Sequence, residues 1–232
     1  MSYRLISRSG NETQFEEMSR RCNAVGIRIY ADLVINHMTG DVDPAVGTGG
    51  AVANTTEFQY PQVPFTVENF HWPPCRVFNY NDPVDVRNCE VNGFHDLDHS
   101  KPYVRDKVVE LMNHLIDLGV AGFRVDAAKF MWPQDVLAMM QGMKTLNPKY
   151  GFAADAKPFV YQQVVDYGGE AVKYREYTHI GRVVDYLHSE RINLIFSGAQ
   201  TLRWLRTWGR LNVHLTCTKA PHTQVLQKYI FN

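Results

Sequence analysis

The sequence predicts an α/β protein built on a parallel sheet, and three observations carry that prediction. Helical periods alternate with short strands along most of the chain. Those strands are apolar on both faces, as strands covered by crossover helices are. Polar residues then gather where the strands end: Asn36-His37, Asp126, Gln163 and Asp185-Tyr186. A doubly wound sheet and a (β/α)8 barrel both satisfy the alternation. No GxGxxG or GxxxxGK(S/T) follows a strand, which disfavours the nucleotide-binding folds. A rim of polar strand ends is where a barrel builds its site.

The first helix is read over residues 11–24. Asn11 is its cap, with Gln14 three residues on, and Phe15, Met18 and Cys22 share one face. Gly26 suits the position past its end. Residues 27–35 read as a buried strand ending at Asn36-His37. Residues 38–100 sustain neither period and are rich in Gly, Thr, Pro and Asn, too long for an ordinary loop. They read as an inserted, loop-rich subdomain. Pro102 opens the next helix, with Val104, Val108, Leu111, Met112, Leu115 and Ile116 inward and Gly119 at its end. A strand over Val120–Ala127 follows. Trp132-Pro133 opens another helix, with Val136, Leu137, Met140 and Met143 inward. Residues 158–165 read as a strand, 182–187 as a weaker one, and 199–208 as a short helix.

Apolar residues make up 45% of the 232, enough for a packed core. Lys+Arg and Asp+Glu are 24 each, so nothing pulls the chain toward nucleic acid or an anionic membrane. No apolar run is long enough to span a bilayer, and the first residues lack the apolar run of a signal peptide. The four cysteines (Cys22, Cys75, Cys89, Cys217) form no zinc pattern. Cys75 and Cys89 flank a polar loop, where a disulfide and two free thiols fit the spacing equally well. Arg124 and Asp126 share one face of the Val120–Ala127 strand, and buried charge of this kind is paired or used. Alone, the two read most simply as a structural ion pair.

Four separated motifs change that reading. Asp32-Leu33-Val34-Ile35-Asn36-His37 resembles the D-x-x-x-N-H signature of the α-amylase family of glycoside hydrolases, and Gly122–Trp132 resembles its G-F-R-x-D-A-x-K-H-M-W signature. Phe159–Val164 resembles the segment that normally ends Q-E-V. Asn79–Asp82, Val86–Cys89 and Gly93–Asp96 resemble the family's calcium-binding insert. Met112–Arg124 is nearly identical to animal sequences, and the likeness, nearest to insect ones, covers residues 3–209.

The resemblance implies a partial (β/α)8 TIM barrel, about strands 3 to 6, over residues 1–37 and 101–209, a calcium-binding subdomain over 38–100, and a divergent tail over 210–232. It implies endohydrolysis of α-1,4-glucosidic bonds in starch or glycogen, with Asp126 as nucleophile and Arg124 orienting it and binding chloride (Cl-). His37 and Lys129 match substrate-contacting residues. Asn36 and Asp96 match side-chain ligands of calcium (Ca2+), with the carbonyls of Arg87 and Phe130 completing the set. Cys75 and Cys89 match a family disulfide. The partners implied are α-glucan and proteinaceous amylase inhibitors, and the location implied is extracellular. The residue types suit the chemistry: a retaining glycosidase sets two carboxyl groups about 5 Å apart, and adjacent strands lie about 4.8 Å apart.

Three departures from the pattern carry expectations of their own. Gln163 stands where the family has its acid/base Glu, and an amide has no proton to give near neutral pH. Phe130 replaces a His, so a carbonyl remains while an imidazole is lost. Relative to the pattern the chain is truncated at both ends, with no N-H-D motif for a third catalytic carboxylate and no match to two further chloride ligands. The expectation is a catalytically dead or very weak relative that still binds glucan or inhibitor, or the product of a decayed gene copy, in which Gln163→Glu alone restores nothing.

Overall fold

The computed structural model describes residues 2–201. Its elements run α1 (Glu12–Ala24), β1 (Tyr30–Leu33), α2 (Pro83–Asn88), α3 (Pro102–Asp117), β2 (Gly122–Val125), α4 (Pro133–Gln141), β3 (Phe159–Gln162), β4 (Arg182–Val183) and α5 (Tyr186–Phe196). The four strands are parallel and lie side by side in chain order, β1-β2-β3-β4. A doubly wound sheet reverses its order at a switch point. Winding in one direction is the arrangement of a barrel.

The two faces of the sheet differ as the period of two requires. Ala31, Leu33, Phe123, Val125 and Val160 point to the helices and are buried, and all six expected inward residues of α3 are buried, five of them (Val108, Leu111, Met112, Leu115 and Ile116) in the same core. Each fully buried Leu, Ile or Phe contributes about 1.5–3 kcal/mol. The opposite face carries Tyr30, Asp32, Arg124, Phe159 and Tyr161. A slip of one residue would drive Asp32 and Arg124 under the helices, so the apolar face fixes the register of the polar one. That register pairs Asp32 with Arg124 and Arg124 with Tyr161. Gly122 is required there: a Cβ would meet the Phe159 carbonyl oxygen at 2.3 Å, beneath the stacked rings of Tyr30 and Phe159.

Local signals behave mostly as read. Asn11 Oδ1 accepts from Gln14 N–H at 3.0 Å and Gln14 returns the bond at 2.9 Å. In α4 the inward set is Val136, Met139 and Met140, so Met139 takes the place read for Leu137. The larger correction is after β4. That strand has two residues, and Asp185 does not extend it toward the rim. Its carboxylate caps α5 by accepting from His188 N–H at 3.0 Å. An Asp three residues before an N–H is a cap wherever the chain turns helical, and here the helix begins at once. The short helix read over 199–208 runs beyond the described residues, and the tail over 210–232 lies outside them.

Residues 38–100 have a small core of their own around Met38, Phe58, Tyr60, Phe65, Phe70 and Leu97, to which α3 adds Val104. The segment also holds α2, which begins on an Asp82 cap and Pro83. Its two ends run antiparallel: Met38 N–H donates to the His95 carbonyl at 2.9 Å and Leu97 N–H to the Asn36 carbonyl at 3.0 Å. This closure places Asp96 beside the end of β1. Cys75 and Cys89 form a disulfide with Cα atoms 4.8 Å apart.

Candidate active site

Asp32 lies in β1, Arg124 in β2, Asp126 one residue past β2, and Gln163 one residue past β3. Arg124 joins them. Its Nη1 donates to Asp32 Oδ1 at 2.6 Å and to Asp126 Oδ1 at 2.7 Å, and its Nη2 donates to Gln163 Oε1 at 2.8 Å. The Gln163 oxygen also accepts from Ala127 N–H at 3.2 Å. Its oxygen is thus held by two donors, and the NH2 is the end the amide has to offer. Ala127 reaches this bond in a left-handed conformation, φ +50°, which costs a residue with a Cβ about 1–2 kcal/mol. Strain of this kind collects at functional turns.

The electrostatics follow from burial. Burial raises the Asp32 carboxyl above its ordinary value, against the pull of Arg124. For Arg124 burial acts downward, yet the bonds and charges of Asp32 and Asp126 outweigh it and hold the guanidinium more firmly charged. One cation therefore faces two carboxylates. Asp126 and Asp32 open onto a cleft of about 380 Å³ that Tyr3, Val34, His37 and Phe94 also line. The His37 ring stacks on Phe94 with centroids 4.8 Å apart, and burial holds its imidazole below the usual range.

Lys129 sits elsewhere. It is buried, its ammonium donates to the Val165 carbonyl at 2.8 Å and pairs with Glu170, and it lies 5.2 Å from the centre of the Tyr80 ring. It is already partnered by protein groups.

Asn36 and Asp96 come together. Each keeps one buried side-chain oxygen, Oδ1, with no hydrogen-bond donor, at 1% and 3% residue exposure. Burial pushes the Asp96 carboxyl up to about 7, partly offset by His71 and by the Asn36 side chain next to it. α2, which contains Arg87, packs on the turn Ala128–Phe130. Among the described residues no cluster of three or more His, Cys, Asp or Glu side chains is placed to hold a metal, so a cation here would depend on amide and carbonyl oxygens.

Sequence reading missed Asp32 and Glu170. Asp32 had a signal, since it opens the D-x-x-x-N-H segment and precedes its partner's register by one strand. Glu170 follows Gly168-Gly169 in an irregular stretch, and nothing local marks it.

Parallel strands wound in one direction, with carboxylates and an arginine at their carboxyl ends, define a (β/α)8-type protein with its site at the barrel rim. The family profile "Alpha amylase, catalytic domain" matches residues 2–150, and the chain belongs to the alpha-amylase family of glycoside hydrolases. It is 47% identical over 210 residues to an alpha-amylase-related protein of Drosophila ananassae and 46% identical to that of Drosophila melanogaster. The match covers 90% of this chain and 42% of those relatives. Among solved structures it is similar to wild-type alpha-amylase I of Eisenia fetida, with a TM-score of 0.85 and 42% identity over 90% of this chain and 44% of that one. A glutamate-to-glutamine mutant of the same earthworm enzyme, in complex with maltohexaose, matches equally well. The sheet is accordingly part of a (β/α)8 barrel.

Proposed function

We propose that the cleft binds α-1,4-linked glucan of the starch or glycogen type, with Asp126 in the place of a retaining nucleophile, and that Gln163 makes the chain a glucan binder with little or no turnover. The observation that carries this reading is the sharing of Arg124 among Asp32, Asp126 and Gln163 at three neighbouring strand ends. Arg124 fixes the rotamer of Asp126 by donating to its Oδ1, and His37 and Phe94 offer flat faces and a ring nitrogen to a sugar in the same cleft. A retaining mechanism then requires an acid on the opposite side of the bond to protonate the leaving oxygen. The Gln163 amide has no such proton, and loss of general acid catalysis lowers rates on the order of 10²–10⁴-fold. The amide has a compensating effect on binding: a third carboxylate at this position would add a charge to a cluster with a single arginine. The maltohexaose complex of the earthworm mutant supports binding without an intact set of carboxyl groups in a relative.

Calcium fits the residues present. The two buried, donor-less oxygens of Asn36 and Asp96 are of the type a hard cation takes, and the carbonyls of Arg87 and Phe130 would complete the protein's share. Bound there, the ion supplies positive charge that ties the insert to the sheet ends, and no chemical step runs through it. Chloride fits less well. Arg124 is already shared by three oxygens, two of them carboxylate, so the residues described do not by themselves make an anion site. The Cys75–Cys89 disulfide agrees with an extracellular setting.

The test is a maltohexaose titration by calorimetry beside a reducing-sugar assay on soluble starch, on the chain and on Gln163→Glu. Sugar binding to both, with hydrolysis by neither at ordinary amylase rates, is expected. Starch hydrolysis at such rates by the unaltered chain would refute the non-catalytic reading, and absence of maltohexaose binding would refute the glucan reading.

A further inference from the structure

Tyr177 is fully buried and lies outside the cleft described above. Its main-chain carbonyl accepts from Gln162 Nε2 at 3.0 Å, which fastens it to β3. Its hydroxyl accepts from Arg87 Nε at 3.2 Å and shares its proton between the carbonyls of Met131, at 2.7 Å, and Lys129, at 3.3 Å. Arg87 is held from its other sides as well, by Glu176 at 2.7 Å and by the Trp132 ring, 4.7 Å from the guanidinium carbon. Trp132 Nε1 in turn donates to Asn88 Oδ1 at 2.8 Å.

One hydroxyl therefore touches both segments from which main-chain calcium ligands would come. In the turn at Phe130, the carbonyls on either side are drawn to Tyr177, leaving the Phe130 carbonyl as the one of the three it does not claim. Three residues further on stands Pro133, which has no N–H to take that carbonyl by continuing the turn. In α2, Arg87 lies in the last turn, where carbonyls lack intrahelical donors. Its side chain is pinned by Tyr177, Glu176 and Trp132, which fixes the backbone that carries its carbonyl.

We infer that Tyr177 is a positioning residue for the calcium site: through the Lys129 and Met131 carbonyls and the Arg87 side chain it sets the two main-chain oxygens of Phe130 and Arg87 in register with the Asn36 and Asp96 side chains. This rests on the calcium reading above. Outer partners of this kind typically change metal affinity by about 10–100-fold when removed.

The experiment is a calcium titration by calorimetry, with a metal-free melting curve on each protein to show that it folds. Tyr177→Phe keeps the ring and removes only the hydroxyl, and is expected to bind calcium at least 10-fold more weakly. Glu176→Gln, at the more exposed side of Arg87, is expected to weaken it by a smaller factor. Tyr150→Phe, which removes a hydroxyl bonded to Glu16, is the control and should leave the affinity unchanged. If the unaltered chain binds no calcium, the calcium reading itself fails. If it binds calcium and Tyr177→Phe binds it equally well, the positioning role is overturned, whatever happens to the metal-free melting temperature. Equal weakening by Tyr150→Phe would overturn it too.

Discussion

Arg124 donates to three acceptors with two of its nitrogens, and this decides what substitution there should do. Asp32 is 6% exposed and is paired with Arg124. Removing one partner of a buried pair leaves a charge without compensation, a loss of roughly 3–5 kcal/mol. Arg124→Ala is therefore expected to lower stability by about 3 kcal/mol in urea denaturation, and a loss within experimental error would show that Asp32 is not held by this pair. Ala127 makes the opposite prediction. Its φ of +50° suits glycine, so Ala127→Gly should raise stability by about 1 kcal/mol while Ala127→Val lowers it. Chemical denaturation of the two variants checks the signs, and a destabilised Ala127→Gly would mean that the turn is not strained.

Among the elements, the joint between β1 and α3 depends on a buried histidine. His99 precedes α3, and its Nε2 meets the carbonyl of Ile35, two residues past β1, at 2.8 Å. Burial lowers its pKa from the ordinary 6.5 to about 4. The sign follows from the two states. Between these values the unfolded chain takes up a proton that the folded one refuses, so acid favours unfolding. The contribution is intact above pH 6.5 and is lost as the pH falls toward about 4. Melting temperatures measured from pH 7 down to 4.5 should drop more steeply for the chain than for His99→Asn. Parallel curves would show that His99 is protonated inside the fold.

At the scale of the molecule, the insert and the sheet meet where the chain leaves β1 and returns 60 residues later. Two backbone bonds close that junction, and Asn36 and Asp96 face each other across it with oxygens that lack donors. If those side chains and the carbonyls of Arg87 and Phe130 converge on one ion, a chelator removes a link between the two halves. A lower melting temperature in chelator, restored by added calcium, is the expected result. A melting curve indifferent to chelator at several pH values would remove calcium from the account. The same closure explains why the site needs the insert: it brings Phe94 onto His37 at the edge of the cleft.

The sequence by itself determined the features that depend on neighbours along the chain. The Asn11 capping box, the six inward residues of α3, the parallel strands and the placing of Asp126 and Gln163 at strand ends all follow from local chemistry and from periods of 3.6 and 2. The motif resemblance added the family and the residues to watch. Only the tertiary structure decided which of these groups share a proton donor or a charge. Asp32 joined Arg124 because strand register set them side by side, Lys129 was taken by Glu170, and Asp185 became a helix cap instead of a rim residue. Tyr177 had no sequence signal, since a tyrosine in an irregular segment becomes a clamp only when two distant backbones pack against its hydroxyl. Burial and register are properties of the folded chain, and those are what turned an ion pair in one strand into a shared site at the ends of three.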